Sequence, residues 1–288
     1  MSVPLSAYLL VGILLACGTA LPLAWKWELG LARVALFVLA AGALAALAVA
    51  LLSALVALPG VVAAVLVWAL TMTCAASVLA YRFFRDPERD APTEQGVIVS
   101  PADGQVIYVR HARRGVLPAV RKHGREYALE ELTRTRLRYA DAVVVGIAMN
   151  FLDVHVNRAP IAGAVTLRRH LAGGFGSLKR PETVFQNERT TTVLEREDLQ
   201  VAVVQIASRL VRQIVSFIDE GQQVALGQRI GVIRFGSQVD LVLPARPDLQ
   251  ITVQPGTRVR AGASTVATMS GASGVAGRSA PPGHAAGQ

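Results

Sequence analysis

A stretch without any charged residue runs from Val34 to Ala80. Pro59-Gly60 divides it into two halves, 34–58 and 61–80, and each half is long enough to cross a hydrocarbon core of about 30 Å as a helix. Helices of soluble proteins normally carry one polar face, so a buried helical hairpin of a soluble protein is disfavoured. The stretch therefore predicts at least two transmembrane helices.

A third candidate span, residues 3–25, precedes this stretch. It ends at Trp25-Lys26-Trp27, and such aromatic and basic residues are typical of the membrane–water interface. A cleaved signal peptide is not expected, because no basic region precedes Leu5 and further apolar spans follow. We therefore predict a membrane anchor over residues 1–80 with two or three spans.

Basic residues predict the orientation of the anchor. Lys26 and Arg33 lie between the first two spans, and Arg82, Arg85 and Arg89 follow the third. Two crossings separate these groups, so both lie on the same side, and an excess of Lys and Arg favours the cytoplasmic side. We expect an inner (plasma) membrane protein whose remaining chain lies in the cytoplasm.

The net charge of the chain limits its partners. It is +9 at pH 7, and the first 80 residues contribute +1 of it. Anionic lipid headgroups attract such a basic part by about 1 kcal/mol per well-placed Lys or Arg. Nucleic acid is disfavoured, because no basic helix or aromatic–basic stacking pattern occurs. Cys17 and Cys74 both lie in predicted spans, so neither a disulfide framework nor a metal site is expected.

The pattern after residue 80 differs from that of the anchor. An aromatic and basic segment, 81–96, is interpreted as an interfacial linker. Short apolar runs bounded by turn residues then predict a mainly β domain over 97–268, a flattened barrel or sandwich. The charged stretch 111–140 is interpreted as an insertion with a short helix near 129–136. The Gly-, Ala-, Ser- and Pro-rich tail, 269–288, is expected to be disordered.

A weak internal repeat lies within the predicted β domain. Gly-x-x-Val-x-x-Gly followed by an apolar strand occurs at 221–227 and again at 256–262. It resembles the hairpins of biotinyl and lipoyl carrier domains. Those carriers expose a modifiable Lys, usually after Met, and no Met-Lys pair occurs in this chain. A swinging-arm carrier is therefore not predicted.

Three places in the β region have side chains suited to chemistry. Gly236-Ser237 lies between two strand-like runs, and its open glycine carbonyl next to a hydroxyl is suited to self-cleavage, although a β-turn explains the same letters. A second Phe-Gly-Ser, at 175–177, has no flanking strands. His155 follows an apolar strand and suits proton transfer, unless a backbone carbonyl satisfies it. Asp103 lies in a turn, where aspartate is ordinary.

Five segments together resemble the short bacterial and archaeal form of the phosphatidylserine decarboxylase proenzyme. In chain order they are FRDPER at 84–89, SPADG at 100–104, DVHVNRAP at 153–160, NER at 187–189 and IRFGSQVD at 233–240. The resemblance covers about residues 81–268. It favours the Phe-Gly-Ser copy at 235–237, because the cleaved Gly-Ser of that family follows Ile-Arg and precedes Val-Asp.

The resemblance implies an enzyme that converts phosphatidylserine to phosphatidylethanolamine and CO₂. Ser237 Oγ would attack the carbonyl of Gly236, and elimination and hydrolysis would leave a pyruvoyl group as covalent cofactor. The products would be a β chain, 1–236, and an α chain, 237–288, which form a heterodimer. Loss of CO₂ leaves a carbanion, and a ketone that forms a Schiff base with the substrate amine accepts its charge.

The resemblance also implies roles for further residues. Asp103 and His155 match positions tied to self-processing and proton handling, and Arg158 stands where longer members carry a second histidine. Candidates for binding the phosphate or carboxylate of the lipid headgroup are Asn157, Arg158, Asn187 and Arg189. Two alternatives are a non-enzymatic membrane-tethered β-barrel adaptor, in which Gly236-Ser237 is a turn, and a decarboxylase of another serine-containing lipid such as an ether lipid.

Overall fold

Three long helices precede the β domain. The computed structural model describes residues 4–27, 29–118, 126–174, 176, 185–207, 213–233 and 237–270. Its long helices are α1 (Leu5–Lys26), α2 (Leu31–Leu55) and α3 (Gly60–Phe84). Each is long and apolar enough to cross a membrane, with a mean hydropathy of 2.0, 2.7 and 2.2. The prediction of apolar N-terminal helices is confirmed. The third continues past residue 80 because no proline interrupts it before Pro87.

The three helices pack through small side chains. The buried residues of α1 recur at every fourth position: Gly12, Ala16, Ala20 and Ala24. A Cβ on Gly12 would lie 2.6 Å from the carbonyl oxygen of Ala64 on α3, so only glycine permits this approach. Lipid tails are as apolar as leucine, and close backbone packing therefore provides much of the association between such helices.

The rest of the described chain is mainly β, as predicted. Its strands are β1 (Val97–Val99), β2 (Gly104–Ala112), β3 (Val116–Leu117), β4 (Tyr127–Ala128), β5 (Ala142–Met149), β6 (Val156–Arg158), β7 (Gly163–Leu171), β8 (Arg189–Arg196), β9 (Leu199–Ile206), β10 (Ile214–Ser216), β11 (Gln223–Val224), β12 (Arg229–Ile233), β13 (Ser237–Pro244), β14 (Leu249–Ile251), β15 (Arg258–Val259) and β16 (Thr265–Met269). One short helix, α4 (Leu129–Thr133), lies among them.

An antiparallel eight-stranded sheet dominates this domain, with the order β11-β7-β8-β9-β13-β5-β2-β15. Two three-stranded sheets, β1-β16-β14 and β10-β12-β6, contribute with it to one apolar core. Side chains of β13 alternate between the two faces of the large sheet. Val239, Leu241 and Leu243 enter this first core, whereas Val242 enters a second core on the opposite face.

The second core is closed by the insertion between β2 and β5. Leu117, Tyr127 and Leu132 of the insertion are buried in it, and the ring of Tyr127 stacks on Phe185 with centroids 3.8 Å apart. The predicted short helix is present as α4. The insertion, to which the sequence assigned no role, therefore covers one face of the eight-stranded sheet.

The weak sequence repeat corresponds to two equivalent turns. Gly227 and Gly262 both have φ of +74°, a conformation that favours glycine. A Cβ on Gly262 would lie 3.3 Å from the Cα of Gly227, so the two turns contact each other. The strands that precede them, β11 and β15, form the two edges of the eight-stranded sheet. The tail from residue 271 onward lies outside the described residues, while Met269 still belongs to β16.

Replacement of Gly104 should destabilise the domain. This residue begins β2 with φ of +148°, and an added Cβ would lie 2.2 Å from the carbonyl oxygen of Ala148. We expect Gly104→Ala to cost about 2 kcal/mol or more and to lower the thermal midpoint in detergent. Gly221→Ala is the control, because Gly221 has φ of +83° but open space around it, and should cost about 1 kcal/mol. Equal losses would mean that the close approach contributes nothing.

Candidate active site

Ser237 is the first residue of β13, the strand between β5 and β9. It lies opposite Met149 of β5, is 3% exposed, and its Oγ lies 3.3 Å from the Met149 sulfur. The preceding strand, β12, ends at Ile233, and residues 234–236, including Gly236, lie outside the described residues. The amide of Ile233 donates to the carbonyl of His155 at 3.2 Å. The connection from β12 to Ser237 therefore begins next to the backbone of His155.

His155 is a buried histidine that lies against an aromatic ring. It is 1% exposed, its ring centroid lies 4.4 Å from that of Phe83, and neither ring nitrogen has a hydrogen-bond partner among the described residues. Burial lowers the pKa of His155 to about 4. The charges of Asp153 and Asp103 act in the opposite direction, as does the Asp153 backbone, which lies near the ring without forming a hydrogen bond to it. The imidazole is therefore neutral at pH 7 and can accept a proton.

Asp103 is held by partners other than His155. Both carboxylate oxygens bind the guanidinium of Arg89, with Oδ2 2.8 Å from Nη2, and Oδ1 also accepts from the Ala261 amide at 2.8 Å. Its charge still favours the protonated form of His155. The structure thus places Asp103 within electrostatic range of His155, but their side chains are not hydrogen-bonded.

Asn157 is connected to Ser237 through Met149. The amide nitrogen of Asn157 lies 3.9 Å from the Met149 sulfur, which also contacts the Ser237 hydroxyl. Its amide oxygen accepts from Gln205 Nε2 at 2.8 Å. Because Asn157 is fully buried on β6, these contacts hold its amide in one orientation. The structure therefore connects Asn157 to Ser237 through the Met149 sulfur, and its role in substrate binding stays a prediction.

Asn187 joins the first Phe-Gly-Ser loop to the end of β9. Its Nδ2 donates to the carbonyls of Ala207 at 2.8 Å and Gly176 at 3.0 Å, and its Oδ1 accepts from the Gly176 amide at 2.8 Å. Ile206, next to Ala207, lies opposite Gln238. Ser177 lies outside the described residues. Asn187 thus holds Gly176, the described residue of this copy, to the end of β9 beside the start of β13.

The two predicted headgroup arginines are both engaged with protein oxygens. Arg158 donates to the Gly227 carbonyl at 3.0 Å, to the Pro87 carbonyl at 3.0 Å and to Asp86 at 3.3 Å. Arg189 is 1% exposed and donates to carbonyls, among them Leu132 at 3.0 Å, and burial lowers its pKa to about 10. Their binding to a lipid headgroup stays a prediction.

Comparison with known proteins decides the family of this arrangement. The family model for phosphatidylserine decarboxylase matches residues 77–267. The chain belongs to the phosphatidylserine decarboxylase family. It is 39% identical over 188 residues to a phosphatidylserine decarboxylase proenzyme of Saccharopolyspora erythraea, covering 65% of this chain and 72% of the relative.

Two further relatives support this family. A phosphatidylserine decarboxylase proenzyme of Symbiobacterium thermophilum is 38% identical over 215 residues, which covers 74% of this chain and 89% of the relative. A protein of Methanothermobacter thermautotrophicus, named putative archaetidylserine decarboxylase proenzyme, is 37% identical over 186 residues, which covers 65% of this chain and 78% of the relative. The family match includes the end of α3 but not α1 or α2.

The structure of this phosphatidylserine decarboxylase family member also contains a buried polar cluster next to Ser237 that the sequence analysis did not predict. Gln238 Nε2 donates to Tyr108 Oη and to Asp240 Oδ1, each at 2.7 Å, and Tyr108 donates to Asp240 at 2.7 Å. Burial raises the pKa of Asp240 to about 6, although these hydrogen bonds lower it. The sequence did carry a sign of this cluster, because Gln238 and Asp240 are polar residues inside an apolar strand, as Gln205 is in β9. Nothing in the sequence marked Met149 as a neighbour of Ser237.

No metal centre is formed by the described part of the chain. It contains no group of three or more His, Cys, Asp and Glu side chains placed to hold an ion.

The neutral state of His155 can be measured. Burial holds its folded pKa near 4, below the usual 6.5, so the stability that it contributes is present above pH 6.5 and is lost as the pH falls through 4. In a histidine-labelled NMR titration we expect the His155 resonance, assigned by its loss in His155→Gln, to stay in the neutral form down to about pH 5. Titration near 6.5 would contradict this expectation.

Loss of Arg89 should destabilise the fold because it leaves the Asp103 carboxylate buried with one amide partner. Both side chains are 11% exposed, so we expect Arg89→Met to cost about 3–5 kcal/mol. The double variant Arg89→Met, Asp103→Asn should recover much of that loss. Arg246→Met breaks a more exposed pair with Asp248 and should cost about 1 kcal/mol or less. Thermal midpoints in detergent compare the three; equal losses for Arg89 and Arg246 would refute the argument.

Proposed function

We propose that this chain is a self-processing, pyruvoyl-dependent decarboxylase that converts phosphatidylserine to phosphatidylethanolamine and CO₂. Family membership supports a decarboxylase, and two of the relatives above are named phosphatidylserine decarboxylase proenzymes. The observation that carries the proposal is the position of Ser237. Its hydroxyl is buried at the start of a central strand. The connection from β12 that leads to Ser237 begins next to the neutral His155.

Processing would be a reaction of the chain's own groups. Ser237 Oγ attacks the carbonyl carbon of Gly236, the peptide C–N bond breaks, and an ester and a free Ser237 amine form. Loss of the Ser237 α-proton then expels the Gly236 carboxylate, and water replaces the nitrogen, which leaves as ammonia. The products are a β chain, 1–236, and an α chain, 237–288, that begins with a pyruvoyl group. His155 is suited to accept the hydroxyl proton.

The environment of Ser237 fits a buried carbonyl cofactor derived from it. Once formed, the pyruvoyl group supplies an electron sink for the charge left by CO₂ loss. The neutral imidazole of His155 would relay the proton that replaces CO₂, giving it up from one ring nitrogen as the other takes one up. The Asn157 amide, oriented by Gln205 and Met149, would position the reacting part of the substrate. Asp103 would act as a positioning residue through its charge on His155, and its structural partner is Arg89.

The apolar helices support a place at a membrane, where a phospholipid substrate lies. Arg33 and Arg82, from α2 and α3, line one cavity between the helices, so the basic ends of these helices lie together. By the excess of positive charge, we infer that this end and the β domain face the cytoplasm at the inner membrane. The anchor would then hold the active site at the surface that contains its substrate.

A decarboxylase of an ether lipid with the same serine headgroup is the second candidate, because one relative is named putative archaetidylserine decarboxylase proenzyme. Both reactions require the same carbonyl and the same proton transfer, and the lipids differ in the linkage of their tails. Parallel assays with diacyl and ether-linked phosphatidylserine distinguish these candidates. The non-enzymatic adaptor is not favoured, since the chain belongs to an enzyme family.

Replacement of the proposed nucleophile tests self-cleavage directly. We expect Ser237→Ala to remain one chain of 30.5 kDa and to release no CO₂ from phosphatidylserine, because no hydroxyl can attack Gly236. The unchanged protein should separate on a denaturing gel into chains of residues 1–236 and 237–288. Intact mass spectrometry and borohydride trapping of the carbonyl check the cleavage and the cofactor.

Ser177→Ala is the matched control, since Ser177 belongs to the other Phe-Gly-Ser copy. It should be cleaved like the unchanged protein. Cleavage that depends on Ser177 instead of Ser237 would move the site to the other copy. A single uncut chain in the unchanged protein would refute the pyruvoyl mechanism.

A further inference from the structure

A cavity of about 470 Å³ lies between the three long helices, at the end next to the β domain. Its lining includes Trp27, Arg33, Phe37, Met72, Arg82 and Leu152. Most of the wall is apolar, and the volume is within the range of about 300–1,000 Å³ that is usual for small-molecule sites. We call this space the helix-bundle cavity.

Three side chains at the helix-bundle cavity carry polar donors that have no acceptor among the described residues. Arg33 and Arg82 are exposed and have no hydrogen bond or ion pair with any other described residue. The indole Nε1 of Trp27 is buried and also has no hydrogen-bond partner among the described residues. Two guanidinium groups and an indole N–H at an apolar wall suit a ligand that has both an anionic oxygen group and a hydrocarbon part.

The cavity lies next to the surroundings of His155. Leu152, which lines it, comes three residues before His155, and its carbonyl accepts from Arg85 Nη2 at 3.0 Å. The neighbouring Phe151 stacks on Trp27 with ring centroids 5.3 Å apart and lies 5.6 Å from Phe83. Phe83 in turn lies against His155. One layer of aromatic rings therefore separates the cavity from the candidate catalytic histidine.

We propose that the helix-bundle cavity binds an anionic glycerophospholipid of the adjoining leaflet, with an acyl chain against the apolar wall and the phosphate at Arg33 and Arg82. This inference rests on the proposed function, because it makes the cavity the membrane-side subsite for the lipid that is decarboxylated. The Trp27 N–H would donate to an oxygen of the phosphate or glycerol ester. The lipid would enter the cavity directly from the bilayer and would not have to pass through water.

Both the charge and the apolar wall favour a lipid over a soluble anion. A soluble phosphate would leave the wall formed by Phe37 and Met72 in water, whereas an acyl chain removes that apolar surface from water. A zwitterionic lipid carries a phosphate as well, but its choline charge opposes two neighbouring arginines. The guanidinium fork binds phosphate oxygens bidentately, which favours anionic headgroups.

Fluorescence quenching of Trp27 tests this proposal independently of catalysis. The full chain has three tryptophans, and Trp25→Phe with Trp68→Phe leaves Trp27 as reporter. In phosphatidylcholine vesicles, a minor fraction of phosphatidylserine with brominated acyl chains should quench Trp27 more than the same fraction of brominated phosphatidylcholine. Arg33→Gln with Arg82→Gln should lower this preference about tenfold, because two charge-assisted contacts are lost.

Two matched controls separate the cavity from its surroundings. Lys26→Gln removes a nearby positive charge that does not line the cavity, and it should keep the preference for phosphatidylserine. Ala75→Phe fills the cavity and should reduce quenching by the brominated anionic lipid. Ala80→Phe, on an exposed position of the same helix outside the cavity, should leave it unchanged.

The outcomes distinguish this inference from the proposed function. Brominated phosphatidylglycerol in a parallel arm shows whether the anion alone is recognised or whether the serine adds to it, and preference for either lipid supports an anionic subsite. Equal quenching by all three lipids means that bulk lipid fills the cavity, which would overturn the inference even if Ser237 is cleaved. An uncut chain that still prefers anionic lipid would overturn the decarboxylase and leave the lipid site.

Discussion

The position of β13 at the centre of the large sheet is the constraint on which the candidate site depends. Its eight residues, Ser237–Pro244, pair with β5 from Met149 back to Ala142, and five of them also pair with β9. A shift of one residue would move Val239, Leu241 and Leu243 out of one core and into the other face. The pairing on both sides therefore fixes the position of Ser237 along the strand and the face of the sheet on which its side chain lies.

Charge pairs, of which Arg89–Asp103 is buried and those of Asp86 are partly exposed, connect the linker after α3 to the β domain. Asp86 accepts from Arg158 and from Arg229, and Arg89 binds Asp103. Such pairs contribute little net stability when burial cost is included, but removal of one partner is expensive. Their role here is to place the linker against β6 and β12, the strands beside the crossing that leads to Ser237. Arg158, which the sequence suggested for headgroup binding, thus also contacts this linker.

Aromatic packing places the candidate site close to the helices. Trp27 at the end of α1 stacks on Phe151, and Phe83 at the end of α3 contacts both Phe151 and His155. These rings bury apolar surface between two parts of the chain with different composition. A histidine in this layer is poorly solvated, and the low pKa of His155 follows from that burial. The anchor therefore affects the electrostatics of the site as well as its location.

Much of the architecture follows from local sequence patterns. The apolar run from Val34 to Ala80 predicted helices, and the apolar strand expected before His155 is β5. The repeat at 221–227 and 256–262 predicted two similar turns, but not that the turns contact each other. The stretch 111–140 shows no helix or strand periodicity in its apolar residues. Leu117, Tyr127 and Leu132 of this stretch are buried because they pack on one face of the eight-stranded sheet, which the local sequence does not show.

The sequence by itself determined the apolar helices, the strand-rich domain and, through five short motifs, the family and the candidate residues Ser237, His155 and Asp103. These are properties of composition, period and motif order along the chain. Only the tertiary structure decided which groups the arginines bind, since Arg158 and Arg189 donate to carbonyl oxygens across long sequence separations. The same holds for the low pKa of His155 and for the cavity between the helices, because both arise from burial by segments that are distant in sequence.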